Sequence, residues 1–265
     1  MRIAAVQIQT GPDTLENLAK VERWATRAAE HGADLVVFPE ATMKAFGTGR
    51  LDQAAEELTG SFALKVQELA ENLGVVIVLG MFCPADTYQG KHRIYNTALV
   101  TGAGMHCGYN KIHTYDAFGF RESDTVKPGE ELVTFSYKGV TVGVAVCFDV
   151  RFPHQFQQLA RRGAHVIVLP ASWSSGPGKV EQWRLLTAAR ALDSTAYVVA
   201  CDQTKLQAGK PDGAPTGVGH SAIIGPTGVR IAEAGIEEEI IVADIDVELV
   251  AKVRKEIPIV ELSVE

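Results

Sequence analysis

The sequence predicts an α/β protein, and three observations support this prediction. Short runs rich in Val, Ile and Ala alternate with longer segments whose apolar residues recur at helical spacing. Several of the short runs lack polar alternation, which is typical of strands covered on both faces of a sheet. The chain has 265 residues with 46% apolar content, enough to bury a large core. We therefore expect one α/β domain.

The predicted elements follow one another in a regular order. The first strand, RIAAVQIQ, is followed by the helical pattern LENLAKVERWATRAAEHG and the strand DLVVFPE. The helical pattern SFALKVQELAENLG then precedes the strands VVIVLGMF and YNTALVT. The remaining predicted strands are VTVGVAVCFD, HVIVLPAS, YVVACDQ, SAIIGP and EIIVADID, and the remaining helices are FPHQFQQLARRG and KVEQWRLLTAARALDS. Polar or turn residues close each strand, and three of the four helical patterns end at glycine.

Two segments of the chain resemble each other. HGADLVVFPEAT and RGAHVIVLPASW both place a helix end, a glycine, a strand and a proline in the same order. This order suggests two similar halves, although recurrent βαβ units would also produce it. The loop Lys205–Gly219 is rich in Gly and Pro, and we expect it to form a mobile flap near the functional site.

Charge and hydropathy exclude several classes of function. The net charge of −7 and the pI near 5.6 give no basic surface for a phosphate backbone, so we expect no nucleic-acid partner. The opening MRIAAVQIQTGPD lacks the long apolar core of a signal peptide, and no apolar run is long enough to cross a membrane. We expect a cytoplasmic protein that has no membrane partner.

The cysteines and histidines do not follow the spacing of a metal site. Cys83, Cys107, Cys147 and Cys201 are scattered singly, which fits a reducing compartment better than a disulfide scaffold. No HExxH or CxxC pattern occurs. The only loose cluster is His106, Cys107 and His113, for which a surface loop is the simpler interpretation. We therefore predict no metal.

Chemically active side chains stand where the apolar runs stop. Ligands bind beyond the carboxyl ends of strands in open α/β sheets, so these positions are the ones to inspect. Glu40 follows LVVFP, Cys147 follows VGVAV, and Trp173 follows VIVLPAS. Lys111 lies in YNKIHTYD, beyond a glycine-rich turn.

Each of these residues also has an ordinary interpretation. Cys147 is a candidate nucleophile if a cation lowers the pKa of its thiol or a base removes its proton, but cysteine is also a common core residue. Glu40 is either an acid–base group or an anion at a helix N-terminus. Lys111 taken alone is more typical of a solvated surface charge.

The combination of segments resembles a known family. LVVFPEA around Glu40, YNKIHTYD around Lys111 and CFDVRFP around Cys147 resemble, in the same order, the three signature segments of the nitrilase superfamily of carbon–nitrogen hydrolases. Further similar segments are RIAAVQ, YNTALV, FRESDTVKPGE, LARRGAHVIVLPASW, WRLLTAARALDSTAYVVA and GHSAIIGPTG. The resemblance implies one carbon–nitrogen hydrolase domain over residues 1–265, a four-layer α-β-β-α sandwich, a homodimer and no cofactor.

The resemblance also implies roles for individual residues. It implies a catalytic triad of Glu40, Lys111 and Cys147, with Glu122 of FRESD matching a second glutamate of the family. Glu122 would orient Lys111 or the substrate amide, although a surface carboxylate in a loop is the alternative. Glu40 would act as acid and base, and Lys111 with the backbone N–H of Phe148 would stabilise an oxyanion.

The substrate class depends on residues around the nucleophile. Arg151 could hold a substrate carboxylate, or it could form a structural ion pair with Asp149 or another acidic residue. DVRFP after Cys147 and the GHS segment at His220 are similar to the ω-amidase and deaminated-glutathione amidase branch. We expect a small carboxylate-bearing amide, with N-carbamoyl amino acids, nitriles or a catalytically silent binding protein as alternatives. Further pocket candidates are Met43, Tyr115, Phe118, Ser172 and Trp173.

Overall fold

The protein has fourteen β-strands and six α-helices in the part of the chain that the structure describes. This computed structural model describes residues 1–117, 119–204 and 215–262. The strands are β1 (Arg2–Gln7), β2 (Leu35–Val37), β3 (Val76–Tyr88), β4 (Lys91–Gly102), β5 (Met105–Asn110), β6 (Asp116–Ala117), β7 (Phe120–Arg121), β8 (Thr134–Tyr137), β9 (Val140–Val144), β10 (Val166–Ala171), β11 (Tyr197–Asp202), β12 (Ala222–Ile224), β13 (Arg230–Glu233) and β14 (Glu239–Asp244). The helices are α1 (Thr14–Glu30), α2 (Ser61–Leu73), α3 (Pro153–Arg161), α4 (Lys179–Ser194), α5 (Val247–Glu256) and α6 (Ile259–Leu262).

Twelve of the strands form two six-stranded sheets. The first sheet has the order β14-β1-β2-β3-β4-β5, and the second has the order β13-β12-β11-β10-β9-β8. Strands β1, β2 and β3 run parallel in the first sheet, as β9, β10 and β11 do in the second. The other strands of both sheets pair antiparallel. Each sheet therefore brings several strand ends to one edge.

Side-chain alternation divides the core into layers. In β1, Ile3 and Ala5 belong to a core cluster shared with the second sheet, whereas Ala4 and Val6 belong to a cluster with α1 and α2. On the other side of the molecule, Leu159 of α3 packs against Gly143 of β9. The two sheets thus face each other and the helices cover their outer faces. This arrangement confirms the four-layer α-β-β-α sandwich.

The sequence predicted the central elements and missed peripheral ones. All nine predicted strands and all four predicted helices are present. Strands β5, β6, β7, β8 and β13 and helices α5 and α6 were not predicted. Their sequences are short or polar, such as MHCGYN for β5 and RIAE for β13, so they lack an apolar run or a long helical period. The two similar segments form β2 and β10, which occupy interior positions in their respective sheets.

One further observation concerns the helices. None of those in the described part of the chain is both long enough and apolar enough to cross a membrane.

Candidate active site

A cavity opens beyond the carboxyl ends of strands from both sheets. Its walls contain residues that follow β2, β5, β9 and β10, as the parallel strand arrangement requires. Among the predicted site residues, those that line it are Glu40, Lys111, Tyr115, Glu122, Cys147, Phe148, Arg151, Ser172 and Trp173. Much of the remaining wall is apolar, with Phe46, Leu51 and Val126 contributing to it. One cavity therefore brings together side chains that are far apart in the sequence.

Glu40 is held by a backbone turn against β3. The backbone N–H of Gly80 donates to Pro39 O at 3.0 Å, and that of Met43 donates to Gly80 O at 2.9 Å. Between them, Ala41 has a φ of 57°, in the left-handed region that a residue with a side chain rarely adopts. The Glu40 side chain is only 1% exposed. The tight turn thus fixes a buried carboxylate at the cavity wall.

Gly80 is needed for this turn because a side chain would collide with it. An ideal Cβ at Gly80 would lie 2.5 Å from the backbone N of Ala41 and 2.7 Å from the Cα of Glu40. We expect Gly80→Ala to lower the free energy of unfolding by about 1–3 kcal/mol, as overpacking does in other cores. Urea unfolding of both proteins measures this difference.

Gly225→Ala provides the matched control for this prediction. The nearest atom to a Cβ at Gly225 would be 3.7 Å away, an ordinary contact distance. This variant should unfold close to the wild-type midpoint. A Gly80→Ala protein as stable as the control would contradict the close approach.

Lys111 lies between two carboxylates. Its Nζ donates to Glu40 Oε1 at 3.2 Å and to Glu122 Oε2 at 2.9 Å, and its side chain is 2% exposed. The backbone on both sides of the side chain is fixed, since Lys111 N donates to Asn96 O and Lys111 O accepts from Gly129 N. Glu122 is also buried. The surface interpretations of Lys111 and Glu122 therefore do not hold.

Asn96 completes this cluster, and it was not among the site residues predicted from the sequence. Its Nδ2 donates to Glu40 Oε1 at 2.7 Å and lies 3.3 Å from Glu122 Oε1. The second oxygen of Glu40 accepts from the backbone N–H of Ser172 at 2.9 Å. The available signal was a polar residue inside the apolar strand YNTALVT. Asn96 and Ser172 together hold the Glu40 carboxylate in one orientation.

Cys147 begins a short 3-10 turn rather than ending a strand. Strand β9 stops at Val144, and Cys147–Arg151 form the turn that follows it. The φ of Cys147 is 46°, and such strain outside glycine is common at functional sites. Its Sγ lies 3.8 Å from Ser172 O, the carbonyl of the residue whose N–H binds Glu40. The thiol therefore lies beside the carboxylate cluster and faces the cavity.

Burial and neighbouring charges perturb all three groups. Burial raises the pKa of the Glu40 carboxyl above its ordinary value, although the charge of Lys111 opposes this effect. Burial would lower the pKa of Lys111, but the charges of Glu122 and Glu40 outweigh it and hold the pKa well above the ordinary value. Burial and the charge of Glu40 raise the pKa of the Cys147 thiol well above its ordinary value. The resting site thus contains a neutral thiol and a charged lysine.

The neutral thiol favours one of two ways in which Cys147 could become a thiolate. The sequence is compatible with either a cation that lowers the thiol pKa or a base that removes the proton. Although Lys111 lowers the pKa of Cys147, burial and Glu40 have the larger effect. The arrangement therefore suits removal of the proton by Glu40 during reaction, rather than a preformed thiolate.

The turn after Cys147 also presents a backbone donor. Within the described residues, the N–H of Phe148 donates to no acceptor. The ring of Phe148 packs edge-on against Tyr115 at 5.1 Å between centroids. An N–H adjacent to Cys147 that has no acceptor among the described residues, together with the Lys111 ammonium, can bind an oxygen that gains negative charge.

Arg151 has no carboxylate partner among the described residues. Its Nη2 donates to Gln182 Oε1 at 2.9 Å, and its guanidinium lies 5.1 Å from the ring centroid of Trp173. The ion pair with Asp149 that the sequence left open does not form, because both Asp149 oxygens bind other donors. Within the described part of the chain, no carboxylate offsets the positive charge that Arg151 brings to the cavity wall.

Some predictions need correction. Met43 does not line this cavity; the turn at Ala41 directs its side chain into the core beneath α1 and α2. His106 and Cys107 lie in β5, not in a surface loop, and His113 binds Asp149. Phe118 lies outside the described residues.

The predicted flap is described only in part. Residues 205–214 of Lys205–Gly219 lie outside the described residues. Pro215 lines the cavity, and the N–H of Gly217 donates to Trp173 O at 2.9 Å. The end of this loop therefore contributes to the cavity wall.

Comparison with known proteins agrees with this geometry. The model of the carbon–nitrogen hydrolase family matches residues 2–255. A hydrolase of Mycobacterium tuberculosis is 47% identical over 98% of this chain and 94% of its own length. An omega-amidase of Xenopus tropicalis is 33% identical over 97% of this chain and 93% of its own.

A solved structure shows the same fold. Nit3 of Saccharomyces cerevisiae, described as a member of branch 10 of the nitrilase superfamily, superposes with a TM-score of 0.83. It is 28% identical, and the match covers 97% of this chain and 94% of Nit3. The chain therefore belongs to the carbon–nitrogen hydrolase family within the nitrilase superfamily, near the omega-amidase branch.

Proposed function

We propose that this protein is an amidase that cleaves the C–N bond of a small carboxylate-bearing amide through a thioester on Cys147 and releases ammonia. The observation that carries this proposal is the buried cluster of Glu40, Lys111 and Cys147 at a cavity whose wall also holds Arg151. A nucleophile, a base and a cation within one site are the groups that acyl transfer needs.

The first half of the reaction forms the thioester. Glu40 accepts the Sγ proton as the sulfur of Cys147 attacks the amide carbon, and the carbonyl oxygen becomes an oxyanion. The Lys111 ammonium and the Phe148 N–H donate hydrogen bonds to this oxyanion. When the C–N bond breaks, protonated Glu40 returns the proton to the leaving nitrogen, and ammonia departs.

The second half of the reaction hydrolyses the thioester. Glu40, again ionised, accepts a proton from water as the water oxygen attacks the acyl carbon. The tetrahedral intermediate collapses, the C–S bond breaks, and the proton on Glu40 neutralises the departing thiolate. The product is a carboxylic acid, and Cys147 and Glu40 return to their starting states.

Glu122 supports the reaction through Lys111. Both of its oxygens accept from the Lys111 Nζ, at 3.2 and 2.9 Å. A lysine at 2% exposure would lose its charge without such partners, because burial favours the neutral amine. Glu122 therefore keeps Lys111 charged and oriented toward the cavity.

Arg151 supports the choice of substrate class. A guanidinium binds a carboxylate through two parallel hydrogen bonds, and among the described residues Arg151 donates to an amide, Gln182, and to no carboxylate. An acidic group at the far end of the substrate would supply the missing negative charge. The similarity to an omega-amidase favours the same class of acid monoamide.

Ammonia release from a panel of compounds tests this proposal. The panel contains 2-oxoglutaramate, deaminated glutathione, a simple aliphatic amide, an N-carbamoyl β-amino acid and a nitrile. We expect turnover of one of the first two. Turnover of only the carbamoyl compound or the nitrile would overturn the amidase assignment, and silence throughout would favour a binding protein.

Changing Arg151 should alter substrate preference more than chemistry. We expect Arg151→Met to raise KM for the carboxylate-bearing amide about 10- to 100-fold, since a hydrogen bond to a charged group is worth about 1.5–3 kcal/mol. The methionine keeps an unbranched apolar chain but removes the charged guanidinium that lies over Trp173. Steady-state kinetics on the acid amide and its methyl ester measure the change.

Two controls separate charge from shape. Arg151→Lys keeps the charge and should recover part of the lost affinity. Gln182→Leu removes the partner of Arg151 and leaves the guanidinium. An Arg151→Met protein that retains its preference for the acid over the ester would show that Arg151 does not bind the substrate carboxylate.

A further inference from the structure

Asp149, two positions after the nucleophile, is a fully buried carboxylate with four hydrogen bonds. Its Oδ1 accepts from the backbone N of His113 at 3.1 Å and from His113 Nδ1 at 2.8 Å. Its Oδ2 accepts from the Tyr109 hydroxyl at 2.7 Å and from the backbone N of Val146 at 2.8 Å. Asp149 has no Lys or Arg partner among the described residues, so these donors must stabilise it.

These hydrogen bonds join the segment around Lys111 to the turn that begins at Cys147. Tyr109 and His113 lie two positions before and two positions after Lys111. Val146 immediately precedes Cys147, and the backbone N of Asp149 donates back to Val146 O at 3.0 Å. One carboxylate therefore holds the backbone on both sides of Lys111 against the turn that begins with Cys147.

The direction of each hydrogen bond follows from its neighbours. The Tyr109 oxygen accepts from Gln155 Nε2 at 2.7 Å and from Ile112 N at 3.3 Å, so its own proton points to Asp149. The side chain of His113 also binds Asp149 through Nδ1. Because an ionised carboxylate oxygen can only accept, this ring nitrogen carries the proton and donates. The His113 ring also stacks on Phe152 at 3.5 Å between centroids, which fixes its plane.

We propose that Asp149 is a positioning residue that sets the distance between Lys111 and Cys147 through its hydrogen bonds to Tyr109, His113 and Val146. This inference rests on the proposed function, because it assigns these residues a part in the same reaction. A displacement of about 1 Å between reacting groups can lower a rate about 100-fold. Loosening this connection should therefore lower the rate of the chemical step without weakening substrate binding.

Two substitutions at His113 separate its hydrogen bond from its ring stacking. His113→Phe keeps a ring against Phe152 but removes the N–H that donates to Asp149. His113→Asn removes the stacking but keeps an N–H donor at the position of Nδ1. We expect His113→Phe to lower kcat about 10- to 100-fold with KM within twofold of wild type. His113→Asn should recover most of the loss.

The alkylation rate of Cys147 gives a second measurement that needs no substrate. Chloroacetamide is small enough to enter the cavity, and its reaction depends on the same thiol and base. We expect this rate to fall in His113→Phe by about the same factor as kcat. If the wild-type protein turns over none of the amides, the proposed function is overturned. The alkylation rates would still test the role of Asp149 in that case.

His106→Phe is the matched control. His106 lies in β5, and its ring nitrogens bind Thr101 Oγ1 at 2.9 Å and Leu58 O at 2.7 Å. This variant loses two histidine hydrogen bonds outside the cavity. Any change in its kcat or alkylation rate therefore comes from lost stability and not from the connection through Asp149. Its Tm should fall while its kcat and alkylation rate stay near wild type.

If His113→Phe does not fold, Tyr109→Phe provides a second test of the same connection. It removes only the hydroxyl that donates to Asp149, and we expect a fall in kcat with KM unchanged. The inference is overturned if the folded variants keep wild-type kcat and alkylation rates. A rise in KM alone, or a loss in His113→Phe that His113→Asn does not recover, would also overturn it.

Discussion

Cys147→Ala is expected to lower the rate of ammonia release by about 10⁴-fold or more, as loss of a nucleophile does in other acyl-transfer enzymes. The alanine methyl group cannot attack a carbonyl, and no other described thiol lines the cavity. The turn itself should survive, because the substitution removes only one sulfur atom. Single-turnover ammonia release at high enzyme concentration measures the residual rate.

Cys107→Ala provides the control for this prediction. Cys107 lies in β5 and is partly exposed, but it does not line the cavity. Its removal should leave turnover unchanged. Sustained turnover by Cys147→Ala would rule out a thioester on this residue.

Glu40→Gln is expected to lower kcat/KM by about 10³-fold, within the range for loss of a general acid–base. Glutamine has nearly the same shape and keeps an acceptor for the N–H of Ser172, but it cannot take the thiol proton. Because the pKa of Cys147 is raised well above its ordinary value, the reaction has no spontaneous supply of thiolate. Steady-state kinetics of Glu40→Gln, with the exposed Glu130→Gln as control, measure this effect.

The pH dependence of kcat/KM provides an independent check on Glu40. Glu40 must be ionised to act as the base, and its pKa lies above the ordinary 4.5. Activity should therefore fall as pH drops through this raised pKa, so the acid limb should lie above pH 4.5. Lys111 should keep its charge on the alkaline side, since its pKa is raised well above 10.5. An acid limb below 4.5 would contradict the role of Glu40.

The positions of the main site residues could be predicted because strand ends are visible in the sequence. Glu40 and Cys147 each follow an apolar run, and parallel strands bring such positions to one edge of a sheet. Lys111 follows the polar strand β5, so its role came from the family resemblance of YNKIHTYD and not from an apolar run. The apolar runs themselves are long enough to identify by composition. The same reasoning located Ser172 and Trp173, which line the cavity beyond β10.

Other features depend on contacts that no local pattern encodes. Asn96 of β4 binds Glu40, which follows β2, across the intervening strand β3, and Asp149 binds His113 from a distant segment. Met43 packs in the core and does not line the cavity, and no glycine in the sequence marks the left-handed backbone at Ala41, two positions before it. The cytoplasmic location and the homodimer stay predictions.

Transfer of the acyl group of an amide to Cys147 is the step on which the proposed function depends. Intact-protein mass spectrometry of wild-type enzyme, quenched in acid during turnover of a carboxylate-bearing amide, tests it most directly. We predict a mass increase equal to the substrate minus ammonia, located on Cys147 by peptide mapping and absent from Cys147→Ala. An adduct on another residue, or the same adduct on Cys147→Ala, would contradict the account.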